Sequence, residues 1–591
     1  MKHIFSKSFL VVLCVVVFVG VSALWGDPPA RVGRLNYISG TVSYHPESVE
    51  DWAAATLNFP LTIGDSLWTD KDGQAEVHVG TTAVRLAADT EISFLNLDDQ
   101  AIQIRLSTGS LDIRLRTLGS NEEIEIDTPN ASLSLIRAGS YRMDVLQSGD
   151  TTATARSGEI EVTVGASVFP LPQQQTVTIT GTDSPAYQIA KAAPPDAWDQ
   201  WCETRDQKED HIASAQYVSP DVLDGVEDLD QYGSWSVDSS LGPVWTPIVT
   251  VAGWAPYRFG HWAWVDPWGW TWIDDAPWGF APFHYGRWTY RGNAWAWVPG
   301  AHIGHSVYAP ALVTFVGGSG WRPDQAPGES IGWFPLGPHE PYVAPYRTDR
   351  TRLHNIDVEH FNYVNRNVPG AVTVVSSETF VRGEPTSQAV VRLQGNGLAQ
   401  APVRGAVAPL VPQKESVLGG YAVARGNSIA RPPAAVISRP VVARRTPPTP
   451  AVSFASRQQG LATHPGQPLM LETNPNPKPS TSIARPQVKV VNPGYQRTSP
   501  AQQPVPTTRE QAGTNQVPRS TNKQLEGSTT RPSQNATRPN APSAATRQPS
   551  VRQPQAPSPQ SRTTPRAARQ AQPPHSAPSQ EQSPTILRKD Q

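Results

Sequence analysis

Three aromatic-Gly-x-Trp quartets punctuate the middle of the chain: Tyr232-Gly233-Ser234-Trp235, Phe259-Gly260-His261-Trp262 and Tyr285-Gly286-Arg287-Trp288. They recur at steps of 27 and 26 residues, and a second tryptophan follows each at a nearly constant offset, at Trp245, Trp272 and Trp297. A period of this length marks one supersecondary unit repeated, and a single unit cannot bury its own apolar face. Each unit reads as a strand, a turn and a second strand, with turns at Asp266-Pro267-Trp268-Gly269 and Arg291-Gly292-Asn293. Trp262-Ala263-Trp264 and Trp295-Ala296-Trp297 alternate large with small, so both tryptophans of a triplet face one side of their strand. A lone hairpin is marginal in water, whereas stacked hairpins bury their aromatic faces in common. Gly332-Trp333-Phe334-Pro335 is a further echo of the unit.

Of the 19 tryptophans, 14 lie between Trp235 and Trp333. Most are expected in a core, because short repeats have few other residues to fill one and an indole supplies a large apolar area. A surplus over one small core would face a ligand, since an indole is apolar on its faces and hydrogen-bonding at its edge. Trp264, Trp268, Trp270 and Trp278 cluster around the turns richest in Pro and Gly, and are the candidate aromatic shelf for glycan rings or a protein's apolar patch. The repeats, together with Asp228-Leu229-Asp230-Gln231-Tyr232-Gly233, Ala309-Pro310-Ala311-Leu312 and Ile331-Gly332-Trp333-Phe334-Pro335-Leu336-Gly337-Pro338, resemble the Trp-rich domain of unknown function of the DUF6600 type. The resemblance runs from about 196 to 385 and brings no established activity with it. The β-repeat domain itself is placed at 232–385.

Residues 31–182 alternate apolar with polar in short runs, as in Glu76-Val77-His78-Val79, Ile102-Gln103-Ile104-Arg105-Leu106 and Glu159-Ile160-Glu161-Val162-Thr163-Val164. Turn signals such as Asp72-Gly73, Thr108-Gly109 and Ser157-Gly158 separate them. The expectation is a β-sandwich or solenoid-like wrap. Gly40-Thr41-Val42, Pro60-Leu61-Thr62-Ile63-Gly64-Asp65-Ser66-Leu67-Trp68-Thr69 and Arg137-Ala138-Gly139-Ser140-Tyr141-Arg142 resemble a FecR-type domain. That resemblance implies an extracytoplasmic β-domain that contacts something else in the envelope. The family's signal-relay members carry a cytoplasmic segment ahead of one membrane helix, and here only eight residues precede the first apolar run. Between the two β-domains, 183–231 reads as a connector with one helix opening at Asp196, a residue suited to an N-cap.

The chain opens with Lys2, His3 and Lys7, an apolar run from Phe9 to Val21, and Val21-Ser22-Ala23. That is the layout of a secretory signal peptide over residues 1–26, cleaved after Ala23 or else retained as an anchor. A periplasmic or secreted protein is expected, with no transmembrane helix once the signal is removed. Its one remaining cysteine, Cys202, is expected half-buried in the connector helix.

Residues 386–591 are rich in Pro, Gln, Ser, Thr, Ala and Arg, a composition that buries too little apolar surface to offset backbone entropy, so a disordered tail is expected. From 401 onward it holds 24 Lys and Arg against 6 Asp and Glu, which leaves the rest of the chain acidic. Such a tail suits an anionic surface or a loose return onto its own acidic domains. Export argues against nucleic acid.

Asp274-Asp275 reads as a turn, and His302-Ile303-Gly304-His305 lacks the converging ligands of a metal centre. Gly317-Gly318-Ser319-Gly320 lacks the lysine and helix of a phosphate loop, and there is no Gly-x-Ser-x-Gly elbow. No catalytic residue, metal or cofactor is expected. The sequence reads as a mainly β envelope protein, a non-enzymatic binder or scaffold for a cell-envelope glycan or protein. A FecR-type sensor component and a glycan-active enzyme are the alternatives.

Overall fold

The computed structural model describes residues 28–492 except 219–223, 250, 301–306, 324–325, 327, 347–356, 394–397, 399–400, 421–428 and 470–486. The signal segment expected at 1–26, the histidines 302, 305 and 354, and the tail beyond 492 lie outside the described residues.

Seventeen strands between Gly33 and Lys191 form two ladders that share one long strand, Ala101–Leu115. Its first half pairs with Thr90–Leu97 and, in parallel, with Glu123–Asp127; its second half pairs with Thr82–Leu86 and Gly139–Val145. The inward residues change from even (Ile102, Ile104, Leu106) to odd (Leu111, Ile113, Leu115) across Thr108-Gly109. A bend at that point passes the strand from one ladder to the other, the usual way a strand turns a sandwich corner. Only glycine fits there: Gly109 has φ +94°, and a Cβ would lie 2.4 Å from Thr90 Cα. Both ladders close on one aliphatic core of Val, Ile and Leu, the mainly β architecture expected from alternation.

The connector helix, Ala197–Glu209, lies over the outer face of the ladder that contains Thr82–Leu86 and Gly139–Val145. It opens at Asp196, whose side chain accepts from Asp199 N while Asp199 accepts from Asp196 N, a capping box that satisfies two helix-end donors at once. Cys202 is buried on it.

The tryptophan region is built of hairpins, as its period implies. Gly233–Asp238 pairs with Gly242–Pro247, Gly260–Val265 with Gly269–Asp274, and Arg287–Arg291 with Ala294–Val298. The stacking is not sequential. The first and third hairpins join edge to edge through Trp245↔Trp297, and the second stands as its own two-stranded sheet. The later echo, Ser330–Pro335, belongs to a third sheet with Val313–Gly317, Thr373–Ser376 and Val403–Gly405.

That last strand lies in the stretch expected to be disordered from 386. Described residues there also form the helices Lys414–Val417, Ala434–Ile437 and Phe454–Thr463, and Val441–Ala443 pairs in parallel with Val488–Val490. Isolated apolar residues anchor them: Val417, Leu418, Val436, Val441, Phe454 and Leu461 are all buried. Averaged composition conceals such anchors, and prolines between them lower the entropy lost on ordering.

Candidate functional site

The repeat motif is a packing device. In each hairpin the first tryptophan faces the second across the strands: Trp235↔Trp245, Trp262↔Trp272 and Trp288↔Trp297. The motif glycine lies over that second indole. A Cβ on Gly233 would come within 2.3 Å of the Trp245 ring, and one on Gly260 within 2.7 Å of Trp272 Cζ2. Four of these six indole N–H groups are tied to backbone or to a carboxylate: Trp245 donates to Leu229 O at 3.1 Å, Trp272 to Asp274 Oδ2 at 3.0 Å, Trp288 to Pro282 O at 2.8 Å, and Trp297 to Tyr285 O at 2.8 Å; Trp235 donates to Ser214 Oγ at 2.7 Å.

The expected aromatic shelf is corrected here. Trp264, Trp268, Trp270 and Trp278 are 1, 2, 5 and 4 % exposed. Trp264 and Trp270 meet edge to face at 5.5 Å, Trp268 packs on Tyr308, and Trp278 sits between Trp245 and Trp254. Segments far along the chain cover them. Trp270 stacks edge-on to Phe380 and donates to Leu410 O at 3.1 Å, the helix Lys414–Val417 packs on the strand Gly260–Val265, and Arg457 holds Asp266 at 2.5 Å. Asp274 is likewise internal. It accepts from Trp272 Nε1 and Ala276 N, and burial holds its carboxyl well above the usual range. His261 and His284 are core histidines pushed down to about 4 by burial.

The densest ionisable cluster lies instead where the N-terminal domain, the connector helix and the tryptophan region meet. Arg34, fully buried, donates to Glu227 and Asp228 at 2.7 Å each, to Asn58 Oδ1 at 2.9 Å and to Pro277 O at 2.9 Å. Asn58 turns its amide to Asp274 O and Ala276 O, so two residues of the N-terminal domain hold the end of the second hairpin and the turn that follows it. Alongside, Arg85 reaches Glu76 at 2.6 Å, Asp206 at 2.7 Å and Glu209 at 3.2 Å. Arg205 of the connector helix holds both oxygens of Glu76 and lies over the rings of Tyr37 and Trp201.

His78 sits among Glu76, Glu209 and Glu227 at 3.0, 3.5 and 3.2 Å. Burial alone would lower its pKa, but the charges of Glu209 and Glu76 outweigh this and hold it well above 6.5. Burial would raise Glu227, yet Arg34 and the His78 hydrogen bond bring it down to about 2. Ligand atoms of Glu76, His78 and Glu209 lie within 4.8 Å of one another, close enough to share a cation. Glu76 already accepts from Arg85, Arg205 and Asn36, and Glu209 from Arg85 and Arg116, so guanidinium groups supply the positive charge these carboxylates need. The cluster clamps domains together. Sequence reading misses it because Glu76, His78 and Arg85 occupy outward strand positions that look the same whether solvent or a helix covers them.

No curated protein matches the chain. Two crystal structures of a "putative anti-sigma factor" from Parabacteroides distasonis are similar over 21% of this chain, at 15% and 16% identity and a TM-score of 0.20. The match spans 59% of the length of those chains. Residues 226–340, which carry the three hairpins and the acidic pair bound by Arg34, match DUF6600, a family of unknown function.

Proposed function

We propose that this protein is exported and serves as a non-enzymatic scaffold or binding protein of the cell envelope, with the DUF6600 domain and the N-terminal β-domain acting as one rigid unit. The observation that carries this reading is the buried Arg34–Glu227–Asp228 junction with its Asn58 grip on the second hairpin. Breaking such a pair leaves an uncompensated buried charge, so the two domains resist separation. The buried acids and bases there neutralise one another rather than waiting for substrate. No helix among the described residues is long and apolar enough to cross a membrane.

Of the two partner classes, an envelope protein fits better than a glycan. The indoles a sugar ring would stack on are internal, whereas Val237, Ile248, Val249 and Val251 are exposed around the first hairpin, Val237 at 78 %. The FecR-type resemblance of 31–182 supports a second reading, a sensor that hands a signal to a sigma-factor regulator. It predicts that such a pair is encoded beside this gene.

Cell fractionation with intact-mass analysis tests the first reading. A mature chain beginning at Leu24, released with the periplasm or medium, is expected. Photo-crosslinkers at Val237 and Ile248 should then capture one recurrent envelope protein in living cells, while purified cell wall retains little of the chain. A cytoplasmic chain, or one that stays free of any envelope component, overturns the reading.

A further inference from the structure

The ladder that contains Thr90–Leu97 and Glu123–Asp127 carries on its outer face a row of polar side chains that the aliphatic core does not use: Glu91, Gln103, Arg105 and Glu125. All are buried, and a segment more than 300 residues away buries them. Arg105 is held on one side by Glu91 at 3.1 Å and Ser93 at 3.2 Å. Its other nitrogen donates to the carbonyls of Val436 and Ile437, both at 2.7 Å. Gln103 donates to Arg445 O at 3.2 Å, Glu125 accepts the backbone N–H of Arg444 at 2.7 Å, and Thr128 O accepts that of Val442 at 2.9 Å.

These contacts read main chain rather than side chains: Arg105 takes the last carbonyls of the helix Ala434–Ile437, and the stretch from Val441 onward lies extended, the way a groove engages a peptide. Selectivity comes from two acids at its edge: Glu161 pairs with Arg444, and Glu123 with Arg445. Beyond the arginines, Pro447-Pro448-Thr449-Pro450 walls a cavity of about 430 Å³ with Trp52, Phe94 and His45. A proline-rich run is already extended and loses little entropy on seating there.

We propose that this face of the N-terminal domain is a binding groove for an extended Arg-Arg-x-Pro-Pro segment, and that residues 434–451 occupy it in cis as a displaceable strap. The bonds that give selectivity are partly exposed ion pairs, which are individually weak. Tethering supplies the high effective concentration that keeps the strap seated. A second chain presenting the same chemistry would have to displace it. This proposal stands apart from the envelope role and from the identity of any partner at the first hairpin.

The test uses the full chain and a labelled peptide of residues 434–451. Wild-type protein, its groove filled, should bind the peptide weakly. The variant Arg444→Glu with Arg445→Glu loosens the strap and should bind it at least about tenfold more tightly. Adding Glu123→Arg and Glu161→Arg to that variant restores the ion pairs with opposite sign and should mask the groove again. Hydrogen exchange monitors the same samples: the Val442 and Arg444 amides should lose protection in the first variant while Ile104 and Ile126 keep theirs. Equal peptide binding by wild type and variant overturns the proposal. Loss of protection at Ile104 and Ile126 also overturns it, because the strap would then be a fixed part of the fold.

Discussion

The N-terminal β-domain and the DUF6600 domain solve the same problem with different side chains. The first fills its core with Val, Ile and Leu, which have no polar atom to satisfy. Their registry follows from alternation alone, and any aliphatic residue of similar volume would serve. The second fills its core with indoles, each bringing one N–H that an acceptor inside the protein can satisfy. Trp245, Trp288, Trp297 and Trp333 find it in backbone carbonyls, of Leu229, Pro282, Tyr285 and Tyr257. The aliphatic core tolerates adjustment, whereas the indole core is fixed by directional bonds as well as by volume.

The contrast breaks most visibly on truncation. Trp272→Ala removes a fully buried indole and the bond that Asp274 accepts, and should cost about 3–5 kcal/mol in urea unfolding. Ile113→Val, equally buried in the aliphatic core, should cost about 0.5–1.5 kcal/mol. Similar losses at the two sites would mean the indole core is no more demanding than the aliphatic one.

Next in size is the junction. Arg34→Ala leaves Glu227 and Asp228 buried without their cation and should cost about 3 kcal/mol or more. The shape of the transition matters as much as its midpoint. Wild type should unfold in one step followed equally by indole fluorescence and by far-ultraviolet circular dichroism. The variant should show two, with the tryptophan signal and the strand signal separating. One step in both would mean that the shared hydrophobic surface, not Arg34, couples the domains.

Alternation along 31–182, the N-cap at Asp196 and the hairpins of the tryptophan repeat were legible in the sequence, because each is a local pattern. The burial of Trp264, Trp268, Trp270 and Trp278 was not. Their covers come from Tyr308, Phe380 and Leu410, and from the helix Lys414–Val417, none of which shares a repeat with them. For the same reason the outward strand positions of Arg105 and Glu125 do not reveal that residues 434–451 lie across them. Period reports which side of a strand a residue takes, and only long-range packing decides what lies on that side.

Acidification separates the regions more gently. His261 and His284 are held neutral in the DUF6600 core with pKa about 4, below the unfolded 6.5, so the unfolded chain binds protons first. Their contribution is complete above pH 6.5 and is lost as pH falls toward 4; His45 in the N-terminal domain behaves alike. Glu227, at about 2 against 4.5 when unfolded, contributes above 4.5 and loses that contribution as pH falls toward 2. His78 has the opposite sign: raised above 6.5, it contributes fully below that value and loses its contribution as pH climbs through its folded pKa. Thermal midpoints should therefore decline in two acid stages, the upper one flattened by His261→Gln with His284→Gln and the lower one by Glu227→Gln. A single acid stage untouched by the histidine pair would place the upper stage outside the tryptophan core.

The finest test separates area from direction within the indole core. Trp262 and Trp272 are both buried and packed edge to face at 5.4 Å, in one hairpin. Trp272 Nε1 is bonded to Asp274, whereas Trp262 Nε1 has no hydrogen-bond partner among the described residues. Replacement by phenylalanine removes comparable area from each, but only at 272 does it also leave Asp274 Oδ2 without its donor. Trp272→Phe should therefore cost about 1 kcal/mol more than Trp262→Phe, the net worth of one internal hydrogen bond. Equal costs would show that the bonds merely accompany packing, and the indole core would then differ from the aliphatic one in volume alone.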